Sequence, residues 1–190
     1  MWKEILPGLR MKIFLTILLG VVYPLAVTGV CQMMFPHQAN GSLSKSRGRL
    51  IGSELLGQNF TRPEYFHPRP SAAGKDGFDA TASGGSNFGP TNQKLVERIR
   101  ASIEKFRKEN PDYTGPLPAD LLTTSASGLD PHISPESAYY QAPRIARTRG
   151  IDEGRVRDLV RSNIEDPDLG VLGAPRVNVL ALNLALDGLK

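Results

Sequence analysis

Cysteine is nearly absent from this chain: its 190 residues hold one, Cys31. A lone thiol excludes an internal disulfide framework, so any folded domain must stand on its apolar core. Histidine is scarce too, and His37, His67 and His132 are scattered, with no H-E-x-x-H pair. No zinc-type metal site is expected, and Glu165, Asp166 and Asp168 read as a solvated loop rather than a cation cage. A basic stripe is missing as well. The net charge is +4, but once Lys3, Glu4, Arg10 and Lys12 are set aside the remainder holds 20 basic and 18 acidic residues. That balance argues against a nucleic-acid partner.

What the chain has instead is one long apolar run, "IFLTILLGVVYPLAVTGVCQMMF", residues 13–35. It carries no residue charged at neutral pH and exceeds the roughly 20 residues a helix needs to cross a bilayer. A cleaved signal peptide would have an apolar region of about 7–15 residues and a small-x-small site, which "MMFPHQANG" does not offer. A retained anchor in the lipid bilayer is therefore expected. Pro24 is tolerable in such a helix, and Gly20, Thr28 and Gly29 permit close approach of another. Basic residues flank both ends (Lys3, Arg10 and Lys12 before; Lys45, Arg47 and Arg49 after), so charge alone orients the span weakly. A short N-terminal tail normally stays inside. The expectation is a cytoplasmic tail (1–12), one transmembrane helix (13–35), a flexible juxtamembrane linker (36–49) and a single small extracytoplasmic α+β domain (50–190).

Within that domain, "LIGSELLGQNF" suggests short strands and turns, and the proline-rich residues 61–80 exclude long regular structure. Leu95, Ile99, Ile103 and Phe106 recur at helical spacing, with Thr91 or Asn92 as cap and Asn110-Pro111 as stop. "LLTT" at 121–124 reads as a strand. Ser134-Pro135-Glu136 has the character of a cap, a first helical residue and a first-turn acid; the helix would run toward Gly150, with Pro143 bending or breaking it. Asp152 would cap another short helix with Val156, Leu159 and Val160 inward, and "RVNVLALNLAL" a strand passing into a terminal helix. Ala-Ser-Gly occurs at both 82–84 and 126–128. So short an echo is most simply chance.

Candidate chemistry centres on "TASGGSNFGPTNQ", residues 81–93, uncharged and crowded with glycine, hydroxyls and amides. Gly84 and Gly89 stand at the P-loop separation and Thr91 at its hydroxyl position, but Pro90 replaces the phosphate-binding lysine. A glycine-rich turn feeding a capped helix, able at most to offer N–H groups to an anion, is the simpler account. A nucleophile reading would recruit Ser83, Ser86 or Ser127 with His132 and Asp130, though no G-x-S-x-G elbow is present. His67, between Phe66 and Pro68, reads as partly packed.

Six stretches then tell together: "GSELLGQNF", "YFHPRPSAA", "ASGGSNFGPTNQ", "SASGLDPHISP", "QAPRIARTRG" and "PRVNVLALNLALD". In order and spacing they resemble the C-chain family of the bacterial Kdp potassium-transporting ATPase, over nearly the whole chain. The resemblance implies a nonenzymatic subunit, without catalytic or metal-binding residues, of a high-affinity ATP-driven potassium uptake pump in the inner membrane. Its implied partners are a channel-like potassium-binding A chain, a P-type ATPase B chain and a small F chain. No cofactor is expected on this chain alone; ATP and potassium belong to the complex. The family is described as assembling or stabilising the complex and as a catalytic chaperone that raises the ATPase chain's affinity for ATP. The glutamine of "QAPR", Gln141 here, is implied as a nucleotide contact.

A domain outside the membrane could not touch ATP held inside. The preferred expectation is therefore a cover over the outer mouth of the channel-like chain. Ser83, Gly84, Gly85, Ser86, Asn87, Gly89, Thr91, Asn92, Ser127, Gly128, Asp130 and His132 would be the partner-interface or fold-organising residues. The alternative is a membrane-anchored serine hydrolase using Ser83 or Ser127 with His132.

Overall fold

The computed structural model describes residues 2–46, 48–111, 113 and 115–189. Arg47, counted above among the flanking charges, lies outside the described residues, as do Met1, Asp112, Thr114 and Lys190. The chain divides into two compact units, residues 1–53 and 54–190.

The first unit is dominated by one long helix. α1 (Trp2–Ile17) and α2 (Tyr23–Met34) are joined without interruption by a wide π turn, Leu18–Val22. The cause is Pro24, which has no N–H and whose ring would crowd the carbonyl four residues earlier. The extra residue in the turn makes room, and the Tyr23 N–H donates to Leu18 O instead. Thr28 Oγ1 donates back to Pro24 O at 2.8 Å. Residues 3–34 are long and apolar enough to cross a membrane, and from 3 to 40 all are exposed except half-buried Cys31. Such a surface is costly in water and natural in lipid.

Two boundaries differ from expectation. Residues 2–12 continue the helix rather than forming a separate tail. The stretch read as a flexible linker holds α3 (Pro36–Ala39) and an antiparallel hairpin of β1 (Leu43–Ser46) with β2 (Arg49–Ser53), bulged between Ser44 and Lys45. Its polarity hid the hairpin, because strand pairing is made by backbone groups that composition does not report.

The second unit is an α+β domain. A small antiparallel sheet has the order β3 (His132–Ile133), β5 (Arg176–Asn178), β4 (Ile164–Glu165), with Val177 opposite both Ile133 and Ile164. Against it pack α5 (Pro135–Arg149), α6 (Glu153–Ser162) and α7 (Val179–Gly188). Ala138, Ala142 and Ile145 from α5, Val156 and Val160 from α6, and Leu182 and Leu186 from α7 meet Phe66, Ile133 and Val177 in one core. The i, i+4 pairs in α6 and α7 are the spacing that puts both residues on one face. α4 (Gln93–Glu109) lies in a smaller cluster, with Phe106 against Leu121 and Tyr140.

The caps expected at Asn92, Ser134 and Asp152 are present, and Asn178 adds one that was not expected. Asn92, Ser134, Asp152 and Asn178 accept from backbone N–H groups of Lys94, Ser137, Arg155 and Ala181, each satisfying an orphan donor at a helix start. Gly150 ends α5 with φ 66°. α5 runs through Pro143 without a break. One lost hydrogen bond is outweighed by burial on both sides, at Ala142, Arg144, Ile145 and Ala146. "LLTT" is not a strand: Ala119–Leu121 forms a 3-10 turn. Asp120 there accepts from Ser134 N at 2.8 Å and Ser137 Oγ at 2.5 Å, so a carboxylate stands at the positive end of α5.

Leu182 is fully buried; Leu182→Ala should destabilise the chain by about 2–5 kcal/mol, read as a lower urea midpoint by tryptophan-independent circular dichroism in detergent.

Candidate functional site

The serine- and glycine-rich loops that composition singled out are brought together. Gly84 N–H donates to Ser127 O at 2.8 Å, and Ser83 Oγ donates to the same carbonyl at 3.0 Å. Ser86 and Thr124 hydroxyls meet at 3.1 Å. The Ala-Ser-Gly echo, taken above as chance, is thus two halves of one clasp.

Small residues are required for so close an approach. Gly128 has φ +68°, and a Cβ there would come within 2.6 Å of Gly84 O and 2.7 Å of Ala73 N. A Cβ on Gly85 would stand 2.9 Å from Ala126 O. Gly128 O accepts from Ser71 Oγ at 2.6 Å, and Leu129 O accepts from Gly57 N at 2.8 Å, so two further loops join. Past Ser86 the loop turns outward: Asn87, Gly89, Thr91 and Asn92 are exposed, and Arg98 lies over the Phe88 ring.

Beside the clasp, Asp130 pairs with Arg69 Nη1 at 2.8 Å and accepts from His132 N at 3.0 Å, with His132 Nδ1 at 3.3 Å. Half-burial pushes the Asp130 carboxyl up, but the His132 hydrogen bonds and the Arg69 charge outweigh it and hold the acid below its usual range. An open cleft of about 590 Å³ runs along Leu55, Leu56, Arg69, Ser83, Ser127 and Asp130. Among the described residues no serine hydroxyl is hydrogen-bonded to His132: Ser127 Oγ accepts from Leu129 N, and Nε2 of His132 faces Glu165 at 3.9 Å. A Ser–His pair is not assembled here. Among the described residues no group of three or more His, Cys, Asp or Glu side chains is placed to hold a metal. Arg69 and Arg176 both find carboxylates, Arg176 at Glu165 (3.0 Å) and Asp168 (3.8 Å).

Gln141 lies elsewhere, in the interior. It is 0% exposed. Its Oε1 accepts from His67 N at 2.7 Å and Arg144 Nη2 at 2.8 Å, and its Nε2 donates to His67 O at 3.1 Å and Ser137 O at 3.3 Å. Asn183 does the same for the neighbouring residue, accepting from Phe66 N at 2.8 Å and donating to Phe66 O at 3.0 Å. Arg144 donates to Pro63 O, to Tyr65 O at 3.1 Å and to Asn110 Oδ1 at 3.2 Å. Arg149 donates to Glu64 O at 2.8 Å. Residues 63–67, bounded by Pro63 and Pro68, are held by side chains from α5 and α7 in place of a neighbouring strand.

Sequence reasoning reached Gln141 but missed Arg144, Arg149 and Asn183. The available signal was a polar residue at a core position: Gln141 and Arg144 lie among Ala138, Ala142 and Ile145, and Asn183 between Leu180 and Leu186 at helical spacing. Desolvation lowers Arg144 to about 10, while Glu109 works the other way, so it remains charged at neutral pH. Burial and the Arg144 charge push His67 down to about 4, against a backbone bond to Arg62 O that raises it.

The fold and its clasped loops define a class: a small α+β domain in a chain that has, among the described residues, one helix long and apolar enough to cross a membrane. Nearly every residue takes part in the likeness to known proteins. The family model "K+-transporting ATPase, c chain" matches residues 5–188, and the chain belongs to that family. It is 58% identical to the potassium-transporting ATPase KdpC subunit of Myxococcus xanthus, over 98% of this chain and 89% of that one. To the proteins of the same name from Koribacter versatilis and Caulobacter vibrioides it is 50% and 53% identical, over 99% and 98% of this chain and 96% and 94% of theirs.

Two outcomes test the geometry. A histidine near 4 when folded and near 6.5 when unfolded binds fewer protons in the native state between those values. Stability should therefore fall by roughly 3 kcal/mol as pH drops from 7 to 4, and His67→Gln should remove that component, read by urea unfolding across pH. Gly128→Ala, strained in φ and crowded by two backbones, should cost about 2 kcal/mol or more by the same measurement.

Proposed function

We propose that this chain is a nonenzymatic accessory subunit that assembles and stabilises a potassium-transporting ATPase, joining a channel-like potassium-binding chain to a P-type ATPase chain, with a small fourth chain beside them. The observation that carries the reading is the family match along residues 5–188, which takes in the apolar helix together with the domain. The relatives' printed names, potassium-transporting ATPase KdpC subunit, supply the complex. One helix cannot enclose an ion path by itself, so transport requires other chains around it.

In this reading the helix anchors the chain in the bacterial inner membrane with its N-terminus in the cytoplasm, and the α+β domain stands on the outer side. The exposed part of the clasped loop, Asn87 to Asn92, meets the outer mouth of the channel-like chain. Its amide and carbonyl oxygens can face potassium without binding it as tightly as carboxylates would. ATP and potassium are ligands of the complex. A rise in the ATPase chain's affinity for ATP then comes through assembly. Gln141 supports this route rather than direct nucleotide contact, because it is enclosed and its amide is engaged on both sides by His67, Ser137 and Arg144.

The test is affinity purification of the tagged full chain from detergent-solubilised membranes of cells expressing the whole ATPase, with protease digestion of spheroplasts in parallel. The expected result is recovery of the large polytopic chains at fixed stoichiometry and cleavage of the domain from outside. Recovery of this chain alone would overturn the assembly role. A domain protected in intact spheroplasts would overturn the orientation.

A further inference from the structure

Between β4 and β5 the chain makes a tight turn whose tip is aliphatic. Leu169, Val171 and Leu172 are 89%, 79% and 58% exposed. This is a built turn: Asp168 and Leu172 exchange backbone bonds at 3.0 and 2.9 Å, and Gly170 N–H donates to Pro167 O at 2.9 Å. Its apolar groups are held out in a fixed arrangement, which lowers the ordering cost of binding.

Leu169 sharpens the point. It has φ 54°, in the left-handed region that favours glycine, although Gly170 and Gly173 supply that residue type close by. A leucine there works against the backbone and, with its side chain in solvent, gains little burial in return. Folding alone would prefer glycine at this position.

The charges around the tip select among occupants. Glu165, Asp166 and Asp168 flank it, answered by Arg176, with His132 3.9 Å from Glu165. Apolar tips that enter anionic lipid surfaces are bordered by lysine and arginine. Three carboxylates oppose that use, and across a twofold axis they would also face their own copies. An apolar cleft bordered by basic side chains on another protein satisfies both the tip and its rim.

We propose that the Leu169–Val171–Leu172 turn is a docking finger that inserts into an apolar, basic-rimmed cleft on another chain of the ATPase. This rests on the assembly reading above. The test uses the full chain in membranes with the other ATPase chains. Leu169→Gly combined with Val171→Ser should reduce their co-purification about tenfold or more, a loss of roughly 1.4 kcal/mol, with the chain's thermal midpoint unchanged or raised. A photoreactive residue in place of Val171 should cross-link to one ATPase chain identified by mass spectrometry. Undiminished co-purification by the variant, or cross-linking to lipid or to a second copy, overturns the finger while leaving the assembly reading intact. If the unaltered chain also recovers no ATPase chains, both fall together.

Discussion

The domain depends on a solved backbone problem. Residues 63–67 enter the interior from an exposed Pro63 to a buried Phe66 and His67, yet among the described residues no strand lies beside them. Buried N–H and C=O groups left unpartnered would cost about 1–3 kcal/mol each. Gln141 and Asn183 remove that cost by presenting an amide acceptor and donor to one residue apiece, as a neighbouring strand would. Arg144 and Arg149 take the remaining carbonyls of Pro63, Glu64 and Tyr65. The arrangement joins α5, α7 and the extended segment, and it commits Gln141 to the interior. It also makes His67 unwelcome as a cation, first because the imidazole is buried and then because a guanidinium stands near it.

How much of this could be read beforehand follows from the range of each interaction. Helix starts are local, and Asn92, Ser134 and Asp152 declared them within four residues. The shift from strand to helix at Asn178 was legible for the same reason, as a short alternation followed by leucines. "LLTT" misled because its apolar pattern is shared by a 3-10 turn that buries Leu121. The hairpin of β1 and β2 was hidden in polar sequence, since its pairing is written in backbone bonds.

The candidate site divides in the same way. The glycine- and serine-rich loops stood out by composition, but their mutual contact spans 44 residues from Ser83 to Ser127, and only the fold brings them together. The Ala-Ser-Gly echo was visible and undervalued, because three residues carry no weight until Gly84 and Ser127 are seen to bond. Arg144 and Asn183 were legible only as anomalies, polar side chains at positions where periodicity demands apolar ones. Family resemblance reached further than local rules, since six short motifs in order constrain the whole chain at once.

The position of α4 gives these separate features a mechanical relation. Its N-terminal side begins just past the clasp, at Asn92, and its C-terminal side ends at Asn110, whose amide bonds Phe106 O and whose carbonyl receives Arg144. A helix of 17 residues is a stiff rod about 25 Å long. One end is an exposed loop; the other receives Arg144, which also bonds Gln141. α4 thus joins, as one continuous element, the exposed loop at one end to the buried amides at the other, a distance that no single ligand would bridge.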